Sequence, residues 1–418
     1  MMRVSMWWKS NYGTEPLEID LPEEWQVTRV GLNAPPPFSD AEIEEAIRNP
    51  IGCRPLREEV RDHRTVCIAV DDLTKPTEAY RSVPVIIDEL LAGGIRGEDI
   101  YFVISTGTHR PGTLDDHRKK LGPDIAGRFR VYNHNPYQNN EYIGETRAGT
   151  KVYINALFLA ADYKIGVGML MPHNLAGFSG GGKIVMPGLA SIDAVEANHR
   201  STLRGLAGRI GTLEGNMVRE DIDEAAAKAG LDFIVNSVHG EDGRTVRVFA
   251  GKPRDAYAIA VREAQKVYAC DVSYQNDIGI FNAFPRDTWF LLSLSSMDVW
   301  STREPERAVV RESGTIVIIN YCAEGAGEHG LHTKGMKHYV KRDQHGTFRE
   351  ILAGRDLIFL SPNLHRGIIA DYYDKEAALC ATWSEVLSLL RKKHGGTARV
   401  SVFPCGTLQM DRVFLAAT

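Results

Sequence analysis

The chain is short of the features that mark several simple functional classes. Its 418 residues hold six cysteines, Cys53, Cys67, Cys270, Cys322, Cys380 and Cys405, and no two stand as C-x-x-C. That spacing excludes a zinc ribbon and a thioredoxin-type motif, and so few thiols cannot staple a chain of this size. Reduced thiols in a cytoplasmic protein are the expectation. No apolar run approaches the roughly 18 residues that cross a bilayer, and the stretch from Met1 to Lys9 lacks the apolar core of a secretory signal. Basic charge is also wanting: 49 Lys and Arg stand against 54 Asp and Glu, a formal net charge of -5. No broad basic field exists to hold nucleic acid or an anionic membrane.

What is present is a globular composition, 43% hydrophobic and 25% charged. Single cores stop growing at roughly 250–300 residues, so two domains are predicted. Residues 66–70, Val-Cys-Ile-Ala-Val, form a short apolar run that empties into Asp71, Asp72, Leu73, Thr74, Lys75 and Pro76. Residues 83–91 carry apolar side chains at helical spacing and stop at Gly93-Gly94. Strand-like runs at 101–104, 130–132 and 163–167 each end in polar residues. The pattern restarts with runs at 277–281, 314–319, 357–360 and 399–403, and an amphipathic helix at 382–390. Segments 225–230 and 261–269 read as helical. Strands alternating with helices predict an α/β protein of two domains, each with a mostly parallel sheet flanked by helices. The division is placed between 1–265 and 266–418, with the site expected in the cleft between the domains. Ligands of such sheets bind beyond the carboxyl ends of the strands.

Glycine is the one residue in mild excess, and it clusters: Gly166, Gly168, Gly177, Gly180, Gly181, Gly182 and Gly188 crowd one segment. From Gly177 to Lys183 the pattern fits G-x-x-x-x-G-K, the opening of a phosphate-binding loop. The next residue should be Ser or Thr and is Ile184, which argues against a nucleotide triphosphatase. Glycines that let backbone N–H groups approach an anion, with a lysine delivered at the end, remain the expectation. That lysine could be a counter-ion or a covalent attachment point. His109, His173 and His199 lie at or just after predicted strand ends or in this glycine-rich region. All three could hold one metal, or two could serve as acid and base while the third ligates. Spacing does not choose between them. His329, His332 and His338 read as part of a polar loop.

The Asp71-Asp72-x-Thr74-Lys75-Pro76 loop, the segment from Ser105 to Arg110, Pro172-His173, the block from Gly177 to Pro187, and Asn198-His199 together resemble the nickel-dependent lactate racemase family. Weaker agreement continues through residues 233–236, 248–253, 277–287 and 314–327. The resemblance implies a nickel pincer nucleotide, a pyridinium mononucleotide whose two sulfur-containing arms grip nickel. It implies that Lys183 tethers this cofactor, that His199 completes the nickel coordination, and that His109 and His173 are the acid/base pair. Asp71, Asp72 and Thr74, with Gly180, Gly181 and Gly182, would then lie around the nucleotide. Other proteins of the host would have to make the cofactor.

Where the family's lactate enzymes have arginine in the first loop, this chain has Lys75, a point charge in place of a bidentate fork. Where they offer a glutamine and a lysine to substrate, Leu292 and Ser295 stand in an apolar, aromatic segment. The resemblance therefore implies a racemase or epimerase of a 2-hydroxy acid other than lactate, with Lys75, Arg110, Arg286 and Trp289 as substrate-binding candidates. Trp289 and Trp300 have core packing as their competing explanation. The alternatives are a pincer-nucleotide oxidoreductase or other isomerase, and a cofactor-binding protein without turnover. The small-molecule substrate and the oligomeric state are not legible.

Overall fold

The computed structural model describes residues 1–201, 210–300, 304–344 and 346–415. It is a mixed α/β protein of two compact units. One comprises Ala34–Gly240 and Arg244–Val267; the other comprises Met1–Asn33, Glu241–Gly243 and Tyr268–Thr418. The division expected at 265 falls close to the observed change at Tyr268, but it assigns residues 1–33 to the wrong unit. The reason is pairing: Gln26–Arg29 lies parallel to Arg399–Phe403 as an edge strand of the C-terminal sheet.

In the first unit the sheet order is Thr245–Gly251, Phe233–His239, Tyr163–Met169, Val66–Asp71, Ile100–Ser105, Arg130–Asn133. Only the Thr245–Gly251 edge runs antiparallel to its neighbour. Val66–Asp71 and Ile100–Ser105 are buried along their whole length, as a parallel strand covered on both faces must be. Their β-branched and aromatic side chains pack with Ile86, Leu90 and Ile165 in one core. From Val66–Asp71 the chain builds outward one way through Ile100–Ser105 and the other way through Tyr163–Met169. The crossover reverses between these inner strands, and such a switch point opens a crevice at the strands' carboxyl ends.

The second unit has an all-parallel sheet ordered Ala378–Cys380, Asp356–Leu360, Val310–Ile319, Asn276–Asn282, Arg399–Phe403, Gln26–Arg29. Its switch point lies between Asn276–Asn282 and Arg399–Phe403. The hairpin of Met2–Trp8 and Glu15–Leu21 packs Val4, Met6, Ile19 and Leu21 against Ile278, Val317 and Val400. All eight strands read from the sequence are present. The segment at 225–230 is the end of a longer helix, Met217–Lys228, and that at 261–269 the end of Pro253–Tyr268.

Candidate active site

The loop after Val66–Asp71 and the loop after Ile100–Ser105 leave neighbouring strands and meet at a histidine. The Nδ1 of His109 lies 2.7 Å from Oδ2 of Asp72. The other oxygen of Asp72 accepts from the Thr74 amide at 3.0 Å and from the Thr74 hydroxyl. Burial pushes the Asp72 carboxyl up, but His109, Thr74 and Lys75 outweigh it and hold it far below the usual carboxylate range. An ionised carboxylate only accepts, so Nδ1 of His109 donates and its lone pair sits on Nε2. Asp72, itself held by Thr74, orients this imidazole.

Asp71 faces the other way. Its Oδ2 accepts from the Thr77 hydroxyl at 2.7 Å and the Met169 amide at 2.9 Å. Its Oδ1 accepts from Nζ of Lys120 at 3.0 Å, and both side chains are almost wholly buried. The same ammonium donates to the Lys75 carbonyl at 2.7 Å. Asp71 thus fastens the 71–77 loop to the end of Tyr163–Met169. Lys120 gave no signal in the sequence, because a lysine in a polar helix normally faces water.

On the far side of the switch point the chain turns back as a two-residue hairpin, Pro172–His173 against Gly177–Phe178. Nδ1 of His173 accepts from the Leu175 amide at 3.1 Å and the Ala176 amide at 3.2 Å. The imidazole therefore carries its proton on Nε2, 2.9 Å from Nζ of Lys183. His109 and His173 have opposite polarity: one Nε2 is an acceptor, the other a donor.

The glycines around Lys183 are closely packed within the protein. A Cβ on Gly180 would lie 2.6 Å from Leu170; on Gly181, 2.6 Å from the Arg219 guanidinium; on Gly182, 2.9 Å from Ala226. The Gly181 amide already donates to Asn236 at 2.9 Å. Arg219 lies beneath, donating to the Gly180 carbonyl at 3.2 Å and stacked 3.9 Å from the Tyr257 ring. Gly107, with φ of 57°, donates to the Gly188 carbonyl at 2.9 Å, which ties the His109 loop to the Lys183 block. Asn236 was legible in principle, since it is the lone amide side chain in a mostly apolar strand.

His199 lies on the helix Ile192–Ser201, not at a strand end. Its Nδ1 is 2.7 Å from the Val195 carbonyl one turn back, so Nδ1 donates and Nε2 holds the lone pair. An imidazole whose second nitrogen is fixed by a carbonyl is the usual form of a metal ligand. Its neighbour Asn198 donates to Asp221 at 2.6 Å, and Asp221 also accepts from Thr150 at 3.0 Å. Among the described residues no three His, Cys, Asp or Glu side chains form a metal-holding group. The three-histidine metal site is thereby set aside.

Residues 12–209 match the family model of the lactate racemase N-terminal domain. The lactate racemase of Thermoanaerobacterium thermosaccharolyticum is 29% identical over 329 residues, covering 77% of this chain and 76% of that protein. The lactate racemase of Lactiplantibacillus plantarum is 27% identical over 390 residues, covering 87% and 89%. The apoprotein structure of the former enzyme has a TM-score of 0.77 at 25% identity, covering 98% of this chain and all of that one. Over these residues and in its fold the chain is similar to the lactate racemases. A Thermotoga maritima protein at 17% identity, with a TM-score of 0.65 over 90% of this chain and 99% of that one, shares the fold.

The substrate candidates of this chain divide between the units. Lys75 lies beside Asp72 in the first. Arg110 pairs with Asp116 at 2.6 Å, the helix-capping carboxylate of Leu114–Leu121. Arg286 and Trp289 follow Asn276–Asn282 at the second unit's switch point. Trp289 is 3% exposed, and its Nε1 donates to Glu324 at 2.9 Å. Trp300 is buried as well. Leu292 is buried, and the Ser295 hydroxyl donates to the Leu292 carbonyl at 2.6 Å. No described helix is long and apolar enough to cross a membrane.

Proposed function

We propose that this chain is a racemase or epimerase that inverts the hydroxyl-bearing carbon of a 2-hydroxy acid, using a nickel pincer nucleotide made by other proteins of its host. The observation that carries the reading is the opposite polarity of His109 and His173 on loops either side of one switch point. Lys183 would tether the cofactor, and Nε2 of His199 would complete the nickel coordination. When bound, the cofactor supplies a cationic ring able to accept a hydride and return it. The carbon-bound hydrogen of a hydroxy acid is too weakly acidic for imidazole to remove as a proton. The hydroxyl proton is within reach of a base near neutral pKa. Nε2 of His109 takes that proton while ionised Asp72 stabilises the imidazolium formed. Nε2 of His173 gives a proton to the oxygen presented in the opposite orientation. In the reverse direction the two exchange roles.

The substrate is proposed to be other than lactate, a larger or less polar hydroxy acid or a polyol acid. Lys75 offers a point charge where a fork would grip a carboxylate, and Leu292 and Ser295 add no charge. A screen of chiral 2-hydroxy acids in deuterium oxide with cofactor-loaded enzyme tests both points. Inversion with hydrogen retained at the stereocentre is expected; complete solvent labelling would remove the hydride route. Lactate as the best substrate would overturn the specificity. The intact mass should exceed the sequence mass in loaded protein and return to it in Lys183→Ala, and His199→Ala should lose nickel.

A further inference from the structure

The contact between His173 and Lys183 has a definite hydrogen-bond direction. Two backbone amides, Leu175 and Ala176, point at Nδ1 of His173 at 3.1 and 3.2 Å. Nδ1 must therefore be an acceptor, and a neutral imidazole then bears its hydrogen on Nε2. Nζ of Lys183 lies 2.9 Å from that nitrogen. An ammonium has three donors and no acceptor, so an N–H meeting an N–H⁺ at this distance makes no bond. A neutral amine has one lone pair and accepts. We propose that, before the cofactor is attached, Lys183 is held as a neutral amine by Nε2–H of His173. His173 is thus a positioning residue for the attachment lysine as well as the acid/base group assigned above. The inference rests on the reading of Lys183 as the attachment point only for its purpose, not for its geometry.

The turn that carries Lys183 lies beside a fixed cation. The Gly181–Ile184 turn that carries Lys183 packs against Met217–Lys228, Tyr163–Met169 and Val66–Asp71. The helix faces the turn with the Arg219 cation, whose guanidinium pairs with Asp223 at 2.6 Å, and its Asp221 accepts from Thr150 and Asn198. Glu224 accepts from Arg147 at 3.0 Å, and Glu220 and Lys228 complete the helix's charges. Asp71 at the strand end is neutralised by Lys120, and Lys164 lies at the opposite end of its strand, donating to Ala161. A second cation beside Arg219 is disfavoured. An amine that keeps its lone pair at neutral pH is the nucleophile that a covalent tether requires.

The test uses the full chain made without the cofactor pathway and labelled with ¹³C,¹⁵N-lysine and ¹⁵N-histidine, with Lys183→Arg to assign the lysine signal. The ¹³Cε resonance of Lys183 is expected to titrate at least about one pH unit below the other lysines, and the His173 ring to show hydrogen on Nε2. In His173→Asn the short amide oxygen can still accept from residues 175 and 176 as an Asx turn, while nothing occupies the Nε2 position. Lys183 should there return to the range of the other lysines. Lys183 titrating with the bulk in the parent protein, or His173 carrying hydrogen on Nδ1, overturns the proposal. A low titration unchanged in His173→Asn overturns the role of His173. Failure of the mass adduct in loaded protein would defeat the attachment reading and leave these titrations standing.

Discussion

Two adjacent aspartates divide a labour that their sequence does not distinguish. Asp71 is the last residue of a buried strand, so its carboxylate turns into the sheet end and meets Lys120; Asp72 is the first loop residue and meets His109. The Asp-Asp-x-Thr motif was legible as a functional feature. Which carboxylate did what depended on one residue of strand register and on a lysine forty-nine positions away. Replacing Asp72 with Asn leaves the shape but removes the obligate acceptor, so His109 is no longer held in one tautomer. A loss of about 10²- to 10⁴-fold in kcat/KM is expected, with the circular dichroism spectrum unchanged. A third aspartate gives a pH signature. Desolvation raises Asp298 to about 7, against the pull of Arg286. Its unfolded form loses its proton near the ordinary carboxylate value, well before the folded form does. This group's contribution is therefore present at low pH and is lost as pH rises towards 7. Asp298→Asn should gain stability relative to the parent between about pH 4 and 7, and urea melts across that range read the difference directly.

At the level of the element, the glycine block is constrained by neighbours that its own residue pattern does not reveal. Clustered glycines before a lysine suggest open backbone for an anion. The neighbours that make them necessary, Leu170, Arg219, Tyr257 and Ala226, come from three other segments and have no local signature. Gly181→Ala puts a methyl 2.6 Å from the Arg219 guanidinium at a φ of 55°, and should cost about 1–3 kcal/mol as an overpacked site. Because Lys183 follows two residues later, the yield of the covalent adduct should fall with it, which intact-mass spectrometry measures. The 71–77 loop depends likewise on one buried pair. Lys120→Met leaves the Asp71 carboxylate buried without its counter-charge, and breaking such a pair costs about 3–5 kcal/mol. The double variant Asp71→Asn, Lys120→Met should recover part of that loss in urea unfolding. If the single and double variants unfold alike, Lys120 is not neutralising Asp71.

On the scale of the whole molecule, the alternation of strands and helices was readable because each inner strand is a continuous apolar run. The assignment of the first 33 residues was not readable. Gln26–Arg29 is a four-residue edge strand with a single apolar side chain, and its partner lies more than 370 positions away. Nothing local says to which sheet it belongs. The packing does: Trp25 is 4% exposed, donates from Nε1 to the Gly395 carbonyl at 3.2 Å, and shares a core with Ile278, Ile280, Val400 and Val402. That core contains no residue from the Ala34–Gly240 segment. Trp25→Ala removes a large buried ring and should destabilise its unit by about 3–5 kcal/mol. Local opening follows the loss of buried contacts. Amide exchange should therefore quicken in Asn276–Asn282 and Arg399–Phe403, while Val66–Asp71 and Ile100–Ser105, built on a separate core, keep their protection. Faster exchange confined to Val66–Asp71 and Ile100–Ser105 would place the N-terminal segment with the first unit after all.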